Sequence, residues 1–154
     1  MSQVSAIEKK ALDLLSRRGH FSAELKQKLL IKGFEQNQVD TVIEYCIKRG
    51  YLNDGDRAVF FIEELQNKRY GKYQIIMRLI ERGVESGTAK KAVEDNLDLK
   101  KELSNIEYLV KQKKFNVKST EGVYKAFSFL KRKGFESSDI FKVVKEAKVL
   151  TDET

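Results

Sequence analysis

Residues 29–35 read LLIKGFE, residues 79–85 read LIERGVE and residues 130–136 read LKRKGFE. In each stretch a leucine stands four residues before a glycine and a glutamate two residues after it, and the glycines lie 50 and 51 residues apart (83 − 33, 134 − 83). Apolar residues also stand six and ten residues after each glycine: Val39 and Ile43, Ala89 and Val93, Ile140 and Val144. A period of this length is typical of helical repeat proteins and predicts three tandem copies of one unit.

Around these stretches, apolar residues recur at helical spacing from Ile7 to Val144 and predict nine short amphipathic helices. Ser22 and Ser119 are candidate N-caps. The chain has no proline, which fits helices joined by glycine turns. Glycine adopts the left-handed conformation freely, and a cation complements the helix dipole, so five cation–glycine pairs predict helix ends: Arg18-Gly19, Lys32-Gly33, Arg49-Gly50, Arg82-Gly83 and Lys133-Gly134.

The predicted fold is all-α, an elongated, curved array of three tandem three-helix repeats. The predicted units are repeat one over residues 1–52, repeat two over 53–97, repeat three over 98–148, and a tail over 149–154. The alternative arrangement is an independent three-helix bundle for each repeat, with the bundles loosely strung together. The short connections disfavour that alternative, except at Lys113–Ser119.

The composition argues against catalysis and against metal binding. Cys46 is the only cysteine and His20 the only histidine, so neither an internal disulfide nor a Cys/His zinc site can form. Cys46 falls at helical spacing with neighbouring apolar residues, which predicts a buried core side chain. His20 is predicted to have a structural role in a turn. Residues 1–4 show no secretory signal, and charges interrupt every apolar run. We expect a soluble, cytoplasmic protein that is not an enzyme and needs no cofactor.

Thirty Lys+Arg against 23 Asp+Glu give a net charge of +7, which points to an acidic partner. The charge is +3 in residues 1–50, 0 in 51–97 and +4 in 98–154. The segment 69–73 interleaves cations with tyrosines able to stack on bases, although tyrosines packed between helices are an equal alternative. The predicted contact residues are Arg69, Lys72, Tyr73, Arg78 and Arg82, followed by Lys26, Lys28, Lys32, Lys131, Arg132 and Lys133.

Three stretches carry a family resemblance. They are Arg18–Leu25 with Leu29 and Gly33-Phe34; Arg49–Asp54 with Ala58, Phe61-Ile62, Tyr70-Gly71, Ile75, Leu79 and Gly83-Val84; and Phe129–Phe135 with Ile140. In order and spacing they resemble the RecX family, bacterial regulators of the RecA recombinase. The resemblance spans residues about 7–146. Arg78-Leu79 stands where that family often has Glu-Leu, so a common contact is lost there or a charge has been exchanged with the partner. The basic segment Lys111–Lys118 also matches weakly.

The resemblance implies a non-catalytic monomer that binds in the groove of the RecA–single-stranded DNA filament. It would limit filament growth and so restrain strand exchange, ATP hydrolysis and co-protease activity. Its partners would be the RecA filament and the DNA within it, with no membrane and no small-molecule substrate. Two alternatives stay open: a nonspecific nucleic-acid-binding protein that needs no protein partner, and a scaffold for an acidic helix or peptide.

Overall fold

The structure, a computed structural model, describes residues 5–152, so the N-terminal segment 1–4 and residues 153–154 lie outside it. In this range the chain forms nine α-helices and no strand. The helices are α1 Ala6–Arg17, α2 Ser22–Ile31, α3 Gln36–Lys48, α4 Asp54–Asn67, α5 Lys72–Glu81, α6 Ser86–Asn96, α7 Leu99–Gln112, α8 Thr120–Arg132 and α9 Ser137–Asp152. The predicted all-α repeat architecture is confirmed. Helix α9 continues through residues 149–152, which the sequence pattern assigned to a tail.

Each set of three helices encloses its own apolar core. The repeat leucines Leu29, Leu79 and Leu130 have no exposed surface, and the residues six positions after each repeat glycine are equally buried. The total surface is 10044 Å², whereas a compact protein of 17.8 kDa is expected to expose about 8000 Å². The excess fits helices α1–α3, α4–α6 and α7–α9 set in a row, hereafter repeats one, two and three.

The helix ends follow the predicted glycine mechanism at four of the five sites. Gly33, Gly50, Gly83 and Gly134 have positive φ, and the residue after each donates its N–H to a carbonyl five residues back. Gly19 is the exception, because α1 ends at Arg17 and the chain leaves it in an extended conformation. Ser119 caps α8 as predicted. Ser22 is instead the first residue of α2, after the N-cap residue Phe21.

Repeats one and two meet at what we call the first junction. Phe21 comes from repeat one, yet its ring lies in the core of repeat two, edge-on to Phe61 at 5.8 Å. Gly83 packs so closely on Ala23 that a Cβ at position 83 would collide with it. The start of α2 therefore lies against the end of α5, and the two repeats share apolar packing. This contact argues against loosely strung bundles.

Repeats two and three meet at the second junction, where two glycines bring the backbones together. Gly71 N–H donates to the carbonyl of Lys133 at 2.8 Å, and Tyr73 N–H donates to the carbonyl of Gly134 at 3.0 Å. A Cβ on Gly71 would collide with the backbone of Gly134 and Phe135. The start of α5 thus continues the hydrogen bonding of the end of α8, which fixes the register of the two repeats.

The two junctions also share a capping device. The carboxylate of Asp54 accepts the N–H of Ser22, the first residue of α2, at 2.8 Å. The carboxylate of Glu102 accepts the N–H of Lys72, the first residue of α5, at 3.1 Å. In each case an acid from the following repeat satisfies a helix start whose own N-cap residue offers no capping side chain. At α8 the local Ser119 takes over this role.

Candidate binding surface at the repeat junctions

Tyr70 lies just before α5, and two cations lie close to its ring. The Arg78 guanidinium carbon is 4.2 Å from the ring centroid and the Lys133 Nζ is 4.3 Å from it. Arg78 comes from repeat two and Lys133 from repeat three, so the second junction brings them together. Both distances lie within the range of cation–π attraction.

Tyr73, the second residue of α5, forms a second cluster of the same kind. Lys72 Nζ lies 5.1 Å and Lys131 Nζ 5.7 Å from its ring centroid, and 45% of Tyr73 is exposed. We call the two clusters together the tyrosine–cation surface: Tyr70, Tyr73, Lys72, Arg78, Lys131 and Lys133. It contains five of the eleven residues that the sequence singled out as contacts.

Lys72 differs from the other cations of this surface because it also holds the junction. Its Nζ donates to the carboxylate of Glu136 at 2.7 Å. That hydrogen bond raises the pKa of Lys72 and lowers the pKa of Glu136. A charge change at Lys72 would therefore disturb the packing of repeat three as well as the surface.

Arg69 has a structural position that the sequence does not reveal. Its φ of 66° places it in the left-handed conformation at the end of α4, where other helices of the chain use glycine. Its guanidinium donates to Asn105 Oδ1 at 2.9 Å and lies 3.6 Å from the ring centroid of Tyr108. Both partners belong to α7, so the side chain of Arg69 joins repeat two to repeat three.

Arg82 joins repeat two to repeat one at the first junction, as Arg69 joins repeat two to repeat three at the second. Its guanidinium donates to Glu24 at 2.9 Å, and Arg18 donates to the same carboxylate oxygen at 3.1 Å. Burial alone would raise the pKa of Glu24, but the hydrogen bonds from the N–H of Phe21 and from both arginines hold it below its usual value. Arg82 therefore contributes to the contact between repeats.

The remaining predicted residues lie apart from the tyrosine–cation surface or carry no aromatic partner. Lys26 pairs with Asp40 at 3.0 Å. Lys28 lies 2.8 Å from Nε2 of the buried His20, whose Nδ1 meets the carbonyl of Arg18 within the turn before α2. Burial lowers the pKa of Lys28 and of His20. Lys32 and Arg132 are exposed.

Glu102 has the largest pKa shift of the junction acids, and it is not among the residues predicted from the sequence. It is 1% exposed, and its Oε1 has no hydrogen-bond partner while its Oε2 caps α5. Burial raises the pKa of its carboxyl to about 7, with the charge of Asp139 acting in the same direction. The Lys72 N–H and the Lys72 charge oppose this shift. This pKa shift arises because Glu102 is buried between repeats two and three, and no local sequence pattern marks such a position.

The described residues form neither a metal-binding cluster nor a membrane-spanning helix. Within residues 5–152, no set of three histidine, cysteine, aspartate or glutamate side chains is arranged to hold a metal ion. No helix in that range is long and apolar enough to cross a membrane. Cys46 is fully buried among apolar residues, as predicted, and burial raises the pKa of its thiol.

Comparison with known proteins identifies the family. A family model described as RecX, first three-helix domain, matches residues 9–46, which lie within α1–α3. The regulatory protein RecX of Vibrio vulnificus is 31% identical over 133 residues, which are 84% of this chain and 85% of that protein. The chain belongs to the RecX family. The regulatory protein RecX of Caldanaerobacter subterraneus subsp. tengcongensis is also 31% identical, over 134 residues that cover 87% of this chain and 66% of that relative.

The fold matches a solved RecX structure along nearly its whole length. The crystal structure of RecX from Lactobacillus salivarius superposes with a TM-score of 0.85, covering 95% of this chain and 97% of that one. The two sequences are 21% identical, so this likeness concerns the fold. The resemblance found in the sequence is thus confirmed as membership of the RecX family of regulatory proteins.

Proposed function

We propose that the chain binds the filament that RecA forms on single-stranded DNA and limits the growth of that filament. It would thereby inhibit the recombinase, ATPase and co-protease activities of RecA, acting as a non-catalytic monomer in the cytoplasm. Membership of a family of regulatory proteins supports the regulatory role. The observation that carries the proposal is the tyrosine–cation surface, where two tyrosines and four cations from two repeats meet.

The chemistry of this surface suits a nucleoprotein filament. Cations attract phosphates through an interaction that weakens as salt rises, and aromatic rings stack on unpaired bases. Repeats placed in a row offer their partner an extended surface, which matches the extended shape of a filament. Lys131 and Lys133 stand at the end of α8 and do not join the repeats through an ion pair among the described side chains. We propose these two lysines and Arg78 as the main contacts.

The other predicted residues take secondary roles in this proposal. Lys72, Arg69 and Arg82 hold the junctions and thereby set the relative positions of the repeats. Tyr73 provides the exposed ring. Lys26, Lys28, Lys32 and Arg132 would extend the surface along the array.

The test is inhibition of DNA-dependent ATP hydrolysis by the RecA protein of the same organism, with this chain at substoichiometric amounts. The double variant Lys131→Glu, Lys133→Glu should lose most of the inhibition while keeping its helical circular dichroism. The matched control is Lys142→Glu, Lys145→Glu, which makes the same charge change at exposed positions of α9. Absence of inhibition by the unmodified chain at every ratio, together with absence of filament binding, would refute the proposal.

The second candidate is a nucleic-acid-binding protein that acts without a protein partner. The tyrosine–cation surface favours it, because cations around an exposed aromatic ring, here that of Tyr73, are typical of single-strand binding surfaces. Under this alternative, DNA affinity would be high without RecA and would fall steeply with salt. Weak DNA affinity with tight filament binding supports the RecA proposal.

A further inference from the structure

We propose that the first junction holds a binding pocket for a phosphate group, formed by arginines of repeats one and two. The pocket is an open cavity of ≈ 340 Å³ between the turn before α2 and the helices α4 and α5. Phe61 and Leu65 form its apolar floor. The side chains that give it charge are Arg18, Arg57, Lys68, Arg78, Arg82, Glu64 and Glu81.

The charges around this pocket do not balance. Five cations face two carboxylates, and Lys68 already pairs with Glu64 at 3.2 Å. Glu24, beside the pocket, pairs with Arg18 and Arg82. Arg57 and Arg78 form no ion pair with any carboxylate in the part of the chain that the structure describes. The pocket therefore keeps an excess of positive charge beside these two guanidinium groups.

Unsatisfied hydrogen-bond donors also indicate a ligand site here, independently of the charge count. The Nε atoms of Arg57 and Arg78 are buried and have no acceptor. A buried donor without an acceptor is unfavourable, and native proteins usually satisfy it. Both residues line the same pocket, so a small rearrangement of their side chains would bring these donors to an acceptor bound there.

Packing against neighbouring residues holds the arginines of this pocket in place. Arg57 reaches from α4 across the turn of repeat one and lies against Gly19, where a Cβ would come within 3.1 Å of its Cδ. Arg82 lies over the ring of Phe61 at 5.6 Å, and Arg78 lies over Tyr70. Side chains fixed in this way lose little freedom when a ligand binds.

A phosphate group is the ligand that fits this arrangement best. Its oxygens accept the parallel N–H donors of a guanidinium group in pairs, and it carries enough charge for several arginines. The phosphate could belong to a nucleic-acid backbone or be a free anion. Arg78 belongs to both this pocket and the tyrosine–cation surface. The pocket would bind phosphate without any protein partner, so it can be tested separately from the proposed function.

The test uses the full chain alone, labelled with ¹⁵N and titrated with inorganic phosphate. Sodium chloride holds the ionic strength constant. We expect saturable shifts of the arginine Nε–H signals of Arg57 and Arg78. Arg57→Gln should weaken phosphate binding by about tenfold, the effect expected for one charge-assisted hydrogen bond. Arg49→Gln, the same charge change at the end of α3, should leave the affinity unchanged.

Two further arms complete the test. If Arg57→Gln fails to fold, Arg57→Lys keeps the charge, removes the paired donors and should still weaken phosphate binding. Competition with oligo-dT then identifies the source of the phosphate: displacement of phosphate indicates a nucleic-acid backbone, and lack of displacement indicates a free anion. The proposal is overturned if phosphate gives no saturable shifts, or if Arg49→Gln weakens phosphate binding as much as Arg57→Gln does.

Discussion

Replacing Gly71 by alanine should loosen the contact between repeats two and three without disturbing the helices themselves. Its φ of −83° suits any residue, so the cost arises only from packing. The new methyl group would collide with the backbone of Gly134 and Phe135, which cannot turn aside as a side chain could. The two backbone hydrogen bonds that join α5 to the end of α8 would lengthen as the repeats separate.

The size of the effect follows from these two losses. Two backbone hydrogen bonds contribute about 1 kcal/mol each, and overpacking costs about 1–3 kcal/mol, so the free energy of unfolding should fall by about 3 kcal/mol or more. Urea unfolding followed by circular dichroism measures this change. The matched control is Gly55→Ala in the first turn of α4, where a Cβ meets only the Asn53 side chain at 3.4 Å. That control should stay within about 1 kcal/mol of the unmodified chain.

Equal stability of Gly71→Ala and the unmodified chain would refute this account of the second junction. A fall in stability for both Gly71→Ala and Gly55→Ala would point to a general effect of the substitution. If the account holds, Gly71→Ala should also weaken partner binding, because Lys133 would no longer lie over the ring of Tyr70.

Two further predictions concern stability. The pKa of the Glu102 carboxyl is raised in the folded chain, so its protonation stabilises the fold. This stabilisation is full below about pH 4.5 and is lost as pH rises through about 7. Glu102→Gln should therefore gain up to about 3 kcal/mol relative to the unmodified chain between pH 4.5 and 8, as measured by urea unfolding; a constant difference would contradict it. Leu79→Ala, at a fully buried core position, should cost about 2–5 kcal/mol. Met77→Ala, half exposed on the same helix, should cost under about 1 kcal/mol, and equal losses would contradict the assignment of the core.

The repeat itself could be predicted from the sequence because its signals are local. Glycine after a cation marks a helix end through the φ of one residue, and Leu29, Leu79 and Leu130 mark the buried face through helical spacing. Both rules act within one or two turns of helix. At Gly19 the predicted helix end is right but the left-handed glycine is absent, since the chain there leaves α1 in an extended conformation and Arg57 of the next repeat lies against the glycine.

The junctions could not be predicted because they join residues far apart in sequence. The hydrogen bond from Lys72 N–H to Glu102 spans 30 residues, and the one from Arg69 to Asn105 spans 36. Nothing in the sequence near Arg69 shows that it would take the left-handed conformation that glycine takes after four other helices. The sequence therefore found cations of the tyrosine–cation surface, but it could not separate those that hold the repeats from those that face outward.

The central claim is that this member of the RecX family regulates RecA through the tyrosine–cation surface. The most direct test measures ATP hydrolysis by RecA on single-stranded DNA in the presence of three proteins. They are the unmodified chain, the α8 variant (Lys131→Glu together with Lys133→Glu) and the α9 variant (Lys142→Glu together with Lys145→Glu). The account predicts inhibition by the unmodified chain and by the α9 variant, and little inhibition by the α8 variant. Equal inhibition by all three proteins would contradict the placement of the contact, and inhibition by none of them would contradict the function.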